Sequence, residues 1–204
     1  MDTRPTDLRT AIQLSLVSVA WGGLAGVAAL VLAYDTGSLS LLGFGVDAII
    51  DSFASVTLIW RFSIEGRAPG RADRVEHAAE RIVGGVLIAA ALSLAVGAVR
   101  SLVAHVEVAT TIGAIVLLCA SVVVLPPLAI AKRRVAARLG SGALRADSLL
   151  TAAAGVLAAV GLTSLLLASV AHVWWADAIG ALVIAALLAR EGVASARPGT
   201  ASGA

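Results

Sequence analysis

The 204-residue chain is 59% hydrophobic and only 14% charged, with a net charge of +2. Soluble domains are far less apolar, so this composition excludes an ordinary water-soluble domain and places the chain in a bilayer. Cys119 is the single cysteine, which excludes an intrachain disulfide.

Six apolar segments follow in chain order, at residues 11–33, 38–60, 82–103, 108–131, 146–170 and 174–189. Each is near the roughly 20 residues that span hydrocarbon, the last being the shortest. Helices are expected, because an isolated strand cannot satisfy its backbone in lipid. The fold class is therefore an all-α membrane protein with six transmembrane helices. The first segment is too long for a signal peptide and shows no clear small-residue cleavage site. Its Gly22 and Gly26 are spaced for close helix contact.

The second segment contains GFGVDAIIDSF, with Asp47 and Asp51 one helical turn apart. From Ser38 they lie nine and thirteen residues in. That is about 14 and 20 Å along a helix, bracketing the midplane of a ~30 Å core. A charge there costs about 2.5–3.5 kcal/mol by insertion scales, so both carboxylates must face the bundle interior. Sharing one face, they could hold a divalent cation or carry exchangeable protons. The alternative is polar glue between helices, a role that serines or asparagines usually fill.

The remaining segments offer fewer polar candidates. VEHAAER before the third, with Glu76, His77 and Glu80, reads as a solvated amphipathic turn. Pro126-Pro127 is expected to kink or end the fourth helix. Asp147 opens the fifth, beside Ser148 and one turn before Thr151. It reads either as a site residue or as a first-turn acid paired with Arg145 or Arg138. Trp174 and Trp175 read as an interfacial belt at the sixth, and Asp177 as a dipole-favoured or capping acid. His105, Glu107 and His172 fall in outer loops with no ligand spacing.

Of the 15 Lys and Arg residues, 14 fall on one side of this topology and Arg100 alone on the other. The positive-inside rule then puts both termini in the cytoplasm of a multi-pass cell-membrane protein. The expected organisation is a cytoplasmic tail at 1–10, a six-helix transmembrane domain at 11–190 and a disordered cytoplasmic tail at 191–204, with no room for a soluble domain. There is no Gly-rich phosphate loop, no Cys pair and no nucleophile–base constellation, so neither an enzyme nor a nucleic-acid binder is expected, and no cofactor. Aromatic residues make up only 4%, and the four tryptophans are expected toward helix ends or interfaces, which disfavours an organic-cation cavity.

Three stretches in order carry a family resemblance. SLSLLGFGVDAIIDSFAS, LRADSLLTAAAG and WWADAIGALVIAALL resemble the second, fifth and sixth helices of the transmembrane domain of the cation diffusion facilitator (cation efflux) superfamily. WRFSIEGRAPGRADRVEHAAERIVGG resembles a short branch lacking the cytoplasmic C-terminal domain. The resemblance implies proton-coupled efflux of divalent cations, zinc above all, by a homodimer in the bilayer. It also implies a departure. Aligned on Ala146-Asp147, the family's two fifth-helix ligand positions fall on Leu150 and Ala154, which cannot bind metal. The expected metal ligands are then Asp47 and Asp51, with Asp147 and Thr151 as substitutes. Such oxygen donors suit a harder cation such as manganese comparatively better than zinc. The alternative function is a non-transporting, metal-binding or regulatory membrane protein with a degenerate site.

Overall fold

The computed structural model describes residues 4–64, 69–105, 109–171 and 173–196. Six helices account for nearly all of them: α1 (Arg4–Thr36), α2 (Leu39–Ile64), α3 (Pro69–Ala104), α4 (Ile112–Leu139), α5 (Gly142–Val170) and α6 (Ala176–Ala196). Five contain spans long and apolar enough to cross a membrane. The shortest helix, α6, holds Asp177, Arg190 and Glu191 within its 21 residues and is not among those five. The chain is an all-α membrane bundle.

Helix ends are set by local chemistry. Thr111 caps α4, its hydroxyl accepting from the Ala114 N–H at 3.3 Å. Ser141 does the same for α5 through Leu144 N–H, also at 3.3 Å. Between them Gly140 ends α4 in the left-handed region at φ +64°, its N–H donating to the Ala136 carbonyl. Glycine takes that conformation without a Cβ penalty. A connection this short makes α4 and α5 antiparallel neighbours.

Several boundaries differ from the sequence reading. Pro126 and Pro127 lie inside α4, which continues for three more turns to Leu139. Residues 4–10 are already part of α1, and α6 runs past residue 190 to Ala196. The stretch between the fourth and fifth apolar segments, 132–145, is helical except at Gly140 and Ser141.

The helices pair as α1 on α2, α3 on α6 and α4 on α5, with α2 also meeting α3, α5 and α6. The main core gathers Leu41, Phe44, Leu87, Leu118, Leu157 and Ile184 from five helices. Outside, Leu24, Val27, Phe53, Leu92 and Val123 are exposed, as lipid-facing side chains must be. Asp7 and Arg138 pair at 3.0 Å, fixing the start of α1 beside the end of α4. The Ala109 N–H donates to Thr36 O at the other end of the bundle.

The Gly22 and Gly26 spacing does what was expected of it. A Cβ on Gly22 would sit 2.5 Å from Ser52 Oγ and 3.0 Å from the Ala48 carbonyl oxygen of α2. One on Gly26 would meet Ile49 Cγ1 at 2.8 Å. Gly23, between them, has nothing within 4 Å. Gly22→Val is accordingly expected to push α1 off α2 at a cost of about 1–3 kcal/mol, the usual range for overpacking. Gly23→Ala should leave thermal unfolding in detergent nearly unchanged. Equal unfolding midpoints for the two variants would refute this packing.

Candidate functional site

The middle of α2 presents a polar stripe at four-residue spacing. Asp47, Asp51 and Ser55 are all buried, and they lie on one face because positions four apart stack along a helix. Asp47 is 5% and Asp51 6% exposed. Asp51 Oδ1 is buried with no hydrogen-bond partner. A carboxylate oxygen left bare in an apolar bundle is costly and needs an explanation.

The stripe meets α5 at its lower end. Ser55 Oγ donates to Asp147 Oδ1 at 2.9 Å. Asp147 is buried, and its second oxygen lies 2.6 Å from Lys132 Nζ of α4. That contact is ionic rather than well aligned, since Asp147 Oδ2 makes no directional hydrogen bond. The ammonium group instead donates to Thr151 Oγ1 at 2.9 Å. The Thr151 hydroxyl donates to the Asp147 carbonyl oxygen at 3.0 Å. Lys132 is 0% exposed. Asp51 lies in the field of Lys132, Asp147 and Glu191, and Asp47 in that of Glu191 and Asp51.

The structure thus brings Asp147 and Thr151 together at Lys132 and joins them through Ser55 to the α2 stripe, with Asp51 one turn and Asp47 two turns from Ser55. It does not pair Asp147 with Arg145 or Arg138. The partner is Lys132, and Asp147 is the sixth residue of α5, beyond the first turn. Arg138 is engaged by Asp7. Ala154 is buried in the main core, which also includes Ala48 of α2, and Leu150 is half-buried. Among the described residues, no three His, Cys, Asp or Glu side chains converge closely enough to hold a metal by themselves.

Three members of the cluster escaped the sequence reading. Ser55 continues the four-residue spacing of Asp47 and Asp51, a signal that was available. Lys132 was counted among the 14 basic residues of the cytoplasmic side. Glu191 was placed in the tail.

Other candidates lie elsewhere. Asp177 is buried at the far end and caps α2 rather than its own helix. It accepts from Ser38 Oγ at 2.6 Å, from the Leu39 N–H at 2.8 Å and from Ser40 Oγ. His105 is exposed and stacks on Trp174 with ring centroids 4.3 Å apart. Glu107 and His172 lie outside the described residues, as do the side chains of Glu76, His77 and Glu80. Trp21 sits in mid-helix against the core, not at an interface.

The model of the cation efflux transmembrane domain matches residues 15–202. The chain belongs to the cation efflux family. A search of curated proteins finds no match. The cation efflux match takes in α1 from residue 15, the whole of α2 to α6, and all the residues of the α2–α4–α5 cluster. Transport of a metal cation across a membrane is thus the work of this domain.

Proposed function

We propose that the chain exports a divalent cation, zinc or manganese, in exchange for protons, and binds it in mid-membrane through Asp47 and Asp51. Asp147 and Thr151 are further donors. The observation that carries this reading is Asp51 Oδ1, a buried carboxylate oxygen with no partner, on the same helix face as Asp47. Intramembrane carboxylates of this kind ordinarily line ion pathways.

Proton exchange follows from the ligand chemistry. A carboxylate binds a cation only when deprotonated, so cation and protons compete for the same oxygens. Protons arriving from an acidic exterior discharge the cation there. Cytoplasmic cation displaces the protons in turn, while the helices rock around the fixed site. Carboxylate, hydroxyl and water donors make the site less selective for zinc than one built on histidine. The functional unit is a homodimer in the cell membrane, with both termini in the cytoplasm.

A second reading has its own support. Leu150 and Ala154 are apolar, and Lys132 already occupies Asp147. These favour a cation-binding protein that does not transport. Flux into proteoliposomes under an imposed pH gradient separates the two. Proton-driven uptake of Zn²⁺ or Mn²⁺ is the expected result. Binding without flux would overturn transport and leave the second reading.

Topology is tested separately. In a Cys119→Ala background, Asp35→Cys and Ala137→Cys lie on exposed residues at opposite ends of the bundle. An impermeant thiol reagent added outside cells should label the first and not the second. Equal labelling would refute the cytoplasmic placement of the termini.

A further inference from the structure

Lys132 is the one fully buried basic side chain among the described residues. It is fully buried among apolar helices, on the stripe of α4 that also buries Leu118, Ser121, Leu125 and Leu128. Burying an ammonium group costs several kcal/mol unless it is paired and hydrogen-bonded. Both conditions are met on one side, by Asp147 Oδ2 at 2.6 Å and Thr151 Oγ1 at 2.9 Å. Through Asp147, which accepts from Ser55 one turn beyond Asp51 on α2, the ammonium is placed close enough to act on Asp51, whose Oδ1 stays unpartnered.

The charge inventory of the cluster gives this position a meaning. Asp47, Asp51 and Asp147 set three carboxylates against the one ammonium of Lys132, and the fourth nearby carboxylate, Glu191, is offset by the Arg190 guanidinium next to it in α6. When all are ionised, two negative charges are left over, which a single divalent cation neutralises. Without the lysine the cluster would carry three, and a divalent cation entering a low-dielectric site would be held far more tightly. A carrier must release what it binds, so excess affinity is as harmful as too little.

We propose that Lys132 is a built-in competitor of the transported cation, a tethered positive charge that holds Asp147 and sets how tightly the cation binds at Asp47 and Asp51. The lysine sets affinity through its charge and is not a ligand. This inference rests on the transport-site reading above. A helix tether would use the Lys132–Asp147 pair only to join α4 to α5, and its loss would change stability without changing cation affinity.

The test is calorimetric titration of the full-length protein in detergent with Zn²⁺ alone, and with Mn²⁺ in parallel. Lys132→Met is expected to bind Zn²⁺ at least about tenfold more tightly than wild type. Its cation-free form should melt at lower temperature, because Asp147 is left uncompensated. Lys132→Arg keeps the charge and is expected to restore affinity to within about threefold of wild type.

Should Lys132→Met fail to fold, the comparison moves to Asp147→Asn against Lys132→Met/Asp147→Asn. These share one set of donors and differ only in the lysine's charge. The double variant should bind about tenfold more tightly than the single one. Equal affinity in that pair, or equal affinity of Lys132→Met and wild type, would overturn the lysine's role alone. If neither wild type nor any variant binds Zn²⁺ or Mn²⁺, the transport-site reading falls, and this inference with it.

Discussion

Asp51→Asn is expected to abolish proton-driven cation flux and to weaken Zn²⁺ or Mn²⁺ binding by about a hundredfold or more. The substitution preserves volume and removes one negative charge from the middle of α2. A lost charged ligand in a desolvated site is worth at least about 2.7 kcal/mol, which is a hundredfold in affinity. The fold should survive, because Asp51 Oδ1 has no hydrogen bond to lose. The cation-free variant should even melt at or above the wild-type temperature, since a buried charge has been removed. Asp47→Asn should behave alike. Titration calorimetry, flux and thermal unfolding of the same preparations check all three statements. If Asp51→Asn binds and transports as wild type does, the α2 carboxylates are structural and the proposed site is wrong.

Asp177→Ala should have the largest effect on stability. Its carboxylate is 1% exposed and accepts from two serine hydroxyls and one backbone N–H at the start of α2. Hydrogen bonds to a charged group are worth about 1.5–3 kcal/mol each, and removing the acceptor strands three donors in an apolar environment. A loss of about 3 kcal/mol or more is expected, seen as a fall in the unfolding midpoint. Asp177→Asn keeps one acceptor oxygen and should lose less. Full stability in Asp177→Ala would mean that water or neighbouring groups satisfy the α2 terminus unaided.

The sequence made some of this legible and hid the rest for identifiable reasons. Asp47 and Asp51 stood out because charge in an apolar run is expensive and their spacing fixes a common face. Lys132 did not, because Lys132, Arg133 and Arg134 are consecutive and read together as a positive-inside signal. Only the heptad-like series of buried residues on α4, from Ala114 through Leu118, Ser121, Leu125, Leu128 and Lys132 to Val135, separates it from its two neighbours. That series is continuous only if α4 passes through Pro126-Pro127, which local rules disfavour. Asp177 was read as a dipole-favoured or capping acid of the sixth helix, and it does lie in the first turn of α6, yet the helix that it caps lies 138 residues earlier in the chain. No local pattern carries that information. Glu191 was missed because a helix end cannot be fixed to within a turn by composition alone.

The Asp177 contacts also fix where α2 can and cannot travel. Leu39 is held to α6 by a backbone N–H, and Ser38 and Ser40 beside it by their hydroxyls, so that end of α2 is a pivot. Asp51 sits twelve residues along, on a lever arm of about 18 Å. A tilt of about 10° about the pivot carries Asp51 through about 3 Å, the difference between facing one partner and facing another. The residues at Leu39 need hardly move, and Gly22 and Gly26 oblige α1 to swing with α2. Ser55 lies further along the same arm than Asp51, so a tilt of this kind would break its hydrogen bond to Asp147 at the seam between α2 and α5.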